Sequence, residues 1–339
     1  MNDENSLNRL RYLAFLLAVL YLGLMANVTM ASHTLSPACG NVVLDPSGFG
    51  GGMEMFDGCQ LLGAGTPSVG VILLHGRDSS PEGPVVNELR TSLQRAGYTS
   101  LSMENPAANF VSDSRTFTDY TNDVLSATPY AFPEAYARVQ AGISHLQSTG
   151  VTQVVVIGFS MGSRFSAAAV ARISSSAVPI IGLVGVGMYN SGGGNGIDPL
   201  DVDFTLDEIN VPVLDIYGNQ DTNAITDNEG RIAAYDSGLG ASYTQVELDC
   251  SAVVSTNCHQ LQGLRGSDTM PLEMTVNAWM ACYAPLVTAN CSSVPALTSE
   301  GVVTVGLGGN GGGGNMAPVP LVLLGIFAGL RLRRRILSN

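Results

Sequence analysis

Residues 153–174 read QVVVIGFSMGSRFSAAAVARIS. Gln153–Gly158 is a short, unbroken apolar run of the kind that forms a strand buried on both faces. Ser163–Ser174 is rich in alanine and predicts a helix. Between them, Gly158-Phe159-Ser160-Met161-Gly162 is a Gly-x-Ser-x-Gly pattern. In a chain with 40 glycines that pattern alone says little. Its setting decides, because strand, sharp turn and small-residue helix are what the chemistry of this pattern needs. A serine on such a turn projects from the C-terminal edge of a sheet, near the positive end of the following helix. Bulkier residues at 158 and 162 would clash with the adjoining backbone.

The same alternation continues on both sides. Val69–His75 (VGVILLH), Thr99–Met103, Ile180–Met188, Val211–Tyr217 and Tyr243–Leu248 predict further strands. Val86–Ala96, Pro133–Gln147 and Met270–Tyr283 predict helices. Strand–helix alternation with apolar strands predicts a doubly wound α/β fold, a mostly parallel central sheet with helices on both faces.

A serine hydroxyl attacks only if an imidazole takes its proton. The chain has four histidines. His33 lies beside a presumed processing site, and His75 and His145 precede the serine. In this motif's chain order the histidine comes last, which leaves His259 as the base. A Cys250–Cys258 bridge would clamp its loop. The third group orients the imidazole and stabilises its charged form. Asp221 ends VPVLDIYGNQD, a strand and turn between Ser160 and His259. Asp198, Asp201, Asp203, Asp215, Asp227 and Asp249 are the alternatives, and capping its own turn is the other use for Asp221. Asp215 would sit inside a strand, where an unpaired carboxylate is costly. Acyl transfer also needs two donors for a developing oxyanion. The Met161 N–H comes with the turn, and the Arg77 N–H in LLHGRD (73–78) is the second candidate.

The 15 basic residues are all arginine. Six of them and two of the 28 acids lie in the terminal segments, which leaves nine against 26, a body charge of about −17. Such a surface repels nucleic acid. No paired-histidine or Cys-x-x-Cys spacing predicts a metal, and no Gly-Lys-Ser/Thr signature predicts a nucleotide, so no cofactor is expected. Leu13–Val28 is apolar, follows Arg9 and Arg11, and ends in Thr29-Met30-Ala31, the pattern of a secretory signal peptide over 1–31. An uncleaved anchor is the alternative. Six cysteines, all after that site, predict three disulfides in an exported body, with neighbour pairing the simplest connectivity.

The body is assigned to 32–300, a glycine-rich linker to 301–315, and an apolar tail with an arginine cluster to 316–339. Spacer, short apolar segment and arginines together resemble the bacterial GlyGly-CTERM sorting signal. That resemblance implies membrane retention through the tail before cleavage by a sorting protease; a permanent anchor is the alternative. Signal peptidase is the partner expected at the other end.

Taken in order, LLHG at 73–76, GFSMG at 158–162, the Gly218–Asp221 turn and His259 resemble the α/β-hydrolase superfamily. Its carboxylesterase, acyl-protein thioesterase and dienelactone hydrolase group is the nearest in flavour. The resemblance spans about residues 67–285. It implies an exported serine hydrolase, in the periplasm or at the cell surface, acting on a small or lipid-like ester. A catalytically silent binding module on the same fold is the alternative. Residues 104–132 and 189–208 depart from the group's pattern and are lid candidates.

Overall fold

A computed structural model describes residues 35–49, 55–65, 67–77, 79–105, 133–173, 176–189, 202–235, 242–252, 257–291 and 302–305. In chain order the strands are β1 (Asn41–Leu44), β2 (Phe56–Leu61), β3 (Val69–Leu74), β4 (Thr99–Met103), β5 (Gln153–Phe159), β6 (Ile180–Val186), β7 (Val213–Gly218), β8 (Tyr243–Leu248) and β9 (Val302–Val305). The helices are α1 (Pro84–Arg95), α2 (Pro133–Ser148), α3 (Met161–Arg172), α4 (Val202–Leu206), α5 (Thr222–Ile225), α6 (Asn228–Tyr235) and α7 (Pro271–Tyr283).

One sheet runs β1-β2-β4-β3-β5-β6-β7-β8-β9. Pairing is antiparallel for β1–β2 and β2–β4 and parallel elsewhere. Side chains alternate between the two faces, so each central strand feeds two cores. Val155, Ile157 and Phe159 join Leu89, Leu93, Val276 and Trp279 on one face. Val154 and Val156 join Leu146 and Phe165 on the other. Each fully buried Val or Leu contributes roughly 1.5–3 kcal/mol. The mostly parallel sheet covered by helices is the architecture that the apolar strands predicted. β4 is the informative exception, buried throughout although three of its five residues carry a hydroxyl. Its Ser100 and Ser102 donate to the carbonyls of Arg90 (2.9 Å) and Pro81 (2.7 Å), which removes the penalty of burying them.

The chain passes from β3 to β4 on one side and then crosses back to β5 on the other side of β3. The C-terminal ends of β3 and β5 therefore flank the point where the winding reverses, where open α/β sheets form their crevice. His75-Gly76-Arg77 follows β3 there, and Ser160 follows β5.

The disulfides are Cys39–Cys59, Cys250–Cys258 and Cys282–Cys291, the neighbour pairing. Three bridges are the chemistry of an oxidising, extracytoplasmic compartment. Among the described residues no helix is long and apolar enough to cross a membrane. The segment expected to be a signal peptide (1–31) and the apolar tail 316–339 lie outside the described residues, as do 106–132 and 190–201 of the two lid candidates. β9 occupies the head of the stretch assigned to the linker and pairs with β8.

Candidate active site

Ser160 stands between the last residue of β5 and the first of α3, with φ 53° and ψ −121°. A positive φ is strained for a residue with a Cβ, at roughly 1–3 kcal/mol. It persists because the elbow is overdetermined. The Ser160 N–H donates to the Val186 carbonyl at 2.9 Å, and its carbonyl accepts from the Ser163 N–H at 2.9 Å. Helix α3 is pressed against the end of β3: a Cβ on Gly162 would fall onto the carbonyls of Leu74 and His75. Gly162→Ala is therefore expected to lower stability by about 1–3 kcal/mol, read as the shift in a thermal melt. Helix propensity alone would favour alanine by about 1 kcal/mol, so a stabilised variant would refute the close approach.

His259 lies 99 residues downstream of Ser160, and its Nε2 is 2.8 Å from Ser160 Oγ. Its Nδ1 is 2.7 Å from Asp221 Oδ2. With the proton on Nδ1, the ring donates to the carboxylate and accepts from the hydroxyl. Asp221 is 3 % exposed and divides its oxygens. Oδ1 caps α5, accepting from the N–H groups of Asn223 (3.2 Å) and Ala224 (3.4 Å), while Oδ2 meets the imidazole. Turn-capping and orienting the histidine, weighed above as rival uses, are both present in one side chain.

The loop carrying His259 is tied to the strand carrying the acid's turn. Both sulfurs of Cys250–Cys258 pack on the backbone of Gly218, the last residue of β7. The imidazole ring is flanked by Phe159, centroids 5.3 Å apart, and edge-on by Tyr189 at 6.4 Å. The guanidinium of Arg164 lies 5.6 Å from the Tyr189 ring centre.

The other sequence candidates go elsewhere. Asp215 is fully buried and paired with Arg231. Asp249 accepts from Asn219 and Ser251. Asp198 and Asp201, and the side chain of Asp203, lie outside the described residues. Of the residues offered as oxyanion donors, Met161 directly follows the serine. Met161 opens α3, where the first-turn N–H groups have no partner within the helix. The loop holding Arg77 comes close to Ser160: a Cβ on Gly76 would lie 3.2 Å from Ser160 Cβ and 3.1 Å from the Phe159 ring. Among the described residues no cluster of three or more His, Cys, Asp or Glu side chains could hold a metal ion.

Two residues here escaped sequence reasoning. His75, set aside because it precedes the serine, is 6 % exposed and braces the loop. Its Nδ1 donates to the Gly76 carbonyl at 2.8 Å, and its Nε2 accepts from the Asn105 N–H at 3.1 Å. Asn105 in turn donates its amide to the His75 carbonyl. The His in LLHG was the available signal; nothing pointed to Asn105, which lies 30 residues away.

Residues 63–266 match the family model described as a protein of unknown function, DUF3530. The chain belongs to that family. A search of the curated proteins finds no match. Among solved structures, the hormone-sensitive-lipase homologue EstE7 from a metagenome library is 15% identical, with a TM-score of 0.50 over 74% of this chain and 88% of that one. The dienelactone hydrolase from Anabaena variabilis is 16% identical, TM-score 0.47, over 70% and 94%. Est1E from Butyrivibrio proteoclasticus is 13% identical, TM-score 0.46, over 71% and 97%. At such identities the likeness is one of fold, and the fold is that of the α/β-hydrolases.

Proposed function

We propose that this member of the DUF3530 family is an exported serine hydrolase that cleaves carboxylic esters, or thioesters, through an acyl-enzyme. The observation that carries the proposal is the continuous chain from Ser160 Oγ to His259 Nε2 (2.8 Å) and from His259 Nδ1 to Asp221 Oδ2 (2.7 Å). It stands on a strained elbow at the sheet's switch point.

The chemistry follows from those contacts. Ser160 Oγ attacks the ester carbonyl carbon while its proton passes to His259 Nε2. Asp221 stabilises the imidazolium and keeps the Nδ1 proton in place. The carbonyl oxygen, now an anion, accepts from the N–H groups of Met161 and Arg77. Collapse expels the alcohol, which receives the proton from Nε2. Water activated by the same imidazole then releases the acid and restores the serine. No metal or organic cofactor enters any step.

A fluorophosphonate probe tests the proposal. Folded wild-type protein should label, and labelling should vanish in Ser160→Ala. Folded protein that does not label would favour a silent binding module. A series of p-nitrophenyl esters of increasing chain length then orders the acyl groups. Export is part of the proposal: signal-peptide removal after about Ala31 and processing of the 316–339 tail, both reported by the intact mass of the exported protein. An unprocessed mass would leave a membrane-anchored enzyme instead.

A further inference from the structure

A carboxylate in the middle of a central strand needs an explanation. Asp215 Oδ2 accepts from Arg231 Nε (2.8 Å), the Tyr243 hydroxyl (2.8 Å) and Gln245 Nε2 (2.9 Å). The side chains of Asp215 and Arg231 are both fully buried. Burial alone would draw the guanidinium's pKa down, but the charge of Asp215 and the hydrogen bond to it outweigh that, and the net direction is up. Arg231 therefore stays charged. A buried ion pair is a poor device for stability, since desolvation offsets most of its attraction. Its second arm suggests another role.

Arg231 Nη1 donates to the Ala224 carbonyl at 2.8 Å. Ala224 belongs to α5, four residues long, too short to hold its own shape. The N–H of the same Ala224 donates to Asp221 Oδ1. One residue thus takes the guanidinium on its carbonyl and the capping aspartate on its N–H. We propose that Arg231, anchored by Asp215, is a positioning residue: it fixes α5 against β7 and so sets where Asp221 Oδ2 meets His259, an inference that rests on the serine-hydrolase reading above. Arg231 touches no reacting atom and acts only through Ala224 and Asp221.

The test uses the full chain and two variants. Arg231→Lys keeps a charge opposite Asp215, but one ammonium cannot span both the carboxylate and the Ala224 carbonyl as a guanidinium fork does. Asp215→Asn/Arg231→Met removes both charges together, a change tolerated where single removals are not, and leaves an amide oxygen for Tyr243 and Gln245. Near-ultraviolet circular dichroism identifies folded protein. In both variants kcat on p-nitrophenyl butyrate should fall roughly a hundred-fold, the scale of a small misplacement in a catalytic group. KM should stay within about two-fold. The low-field proton resonance of the His259 Nδ1–H should shift or broaden, which a merely structural role would not cause. A folded variant whose resonance is unmoved, whatever its kcat, overturns the proposal, as does wild-type kcat. Wild-type protein that neither labels with fluorophosphonate nor turns over the ester overturns the serine-hydrolase reading instead.

Discussion

Ser160→Ala should lower ester kcat by on the order of 10⁶, the scale seen when a triad nucleophile is removed. Stability should move by less than about 1 kcal/mol, the net worth of one hydrogen bond. The two readouts separate because alanine keeps the Cβ, and with it the backbone strain at φ 53°, while removing only the oxygen that meets His259 at 2.8 Å. The N–H bond to Val186 and the carbonyl bond from Ser163 do not involve the side chain, so the elbow should stand. Steady-state kinetics on a p-nitrophenyl ester beside a thermal melt suffice. Residual turnover within ten-fold of wild type would move the nucleophile to another residue.

Asp221→Asn is the second large effect, with kcat expected to fall by on the order of 10⁴. The two oxygens of Asp221 do different work, and the substitution divides them. Asparagine caps a helix as well as aspartate does, so its oxygen can keep the N–H groups of Asn223 and Ala224. Its amide then faces His259 Nδ1 with a second donor where an acceptor stood. The imidazole relieves that clash by carrying its proton on Nε2, the nitrogen that must be bare to take the serine's proton. The variant should therefore remain folded with KM little changed and turnover almost lost. A kcat within ten-fold of wild type would reduce Asp221 to a turn cap.

Much of the frame was readable before any coordinates. β3 and the 154–159 stretch of β5 are apolar without interruption because both faces are covered, and a run such as VVVI has few other uses in a chain with this alternation. The order serine, acid, histidine narrowed four imidazoles to His259. Neighbour pairing of six cysteines needed only short separations. The edge strands were a different matter. β2 reads FDGCQL and β1 reads NVVL; their polar interruptions and short length match no template, and they form because β4 offers an open edge. Helices α4 to α6 were likewise invisible, being short segments held by what they pack on rather than by a long apolar stripe.

By itself the sequence determined what local physics controls: strand–helix alternation, hence a parallel sheet, and a glycine-flanked turn that lifts Ser160 from its edge. The contact of Asp221 with His259, the pairing of Asp215 with Arg231 and the bracing of the 75–77 loop by Asn105 were decided only in three dimensions. Each depends on groups 16 to 38 residues apart meeting within about 3 Å. Such meetings are set by which strands neighbour one another and where each one ends, and no periodicity along the chain encodes that.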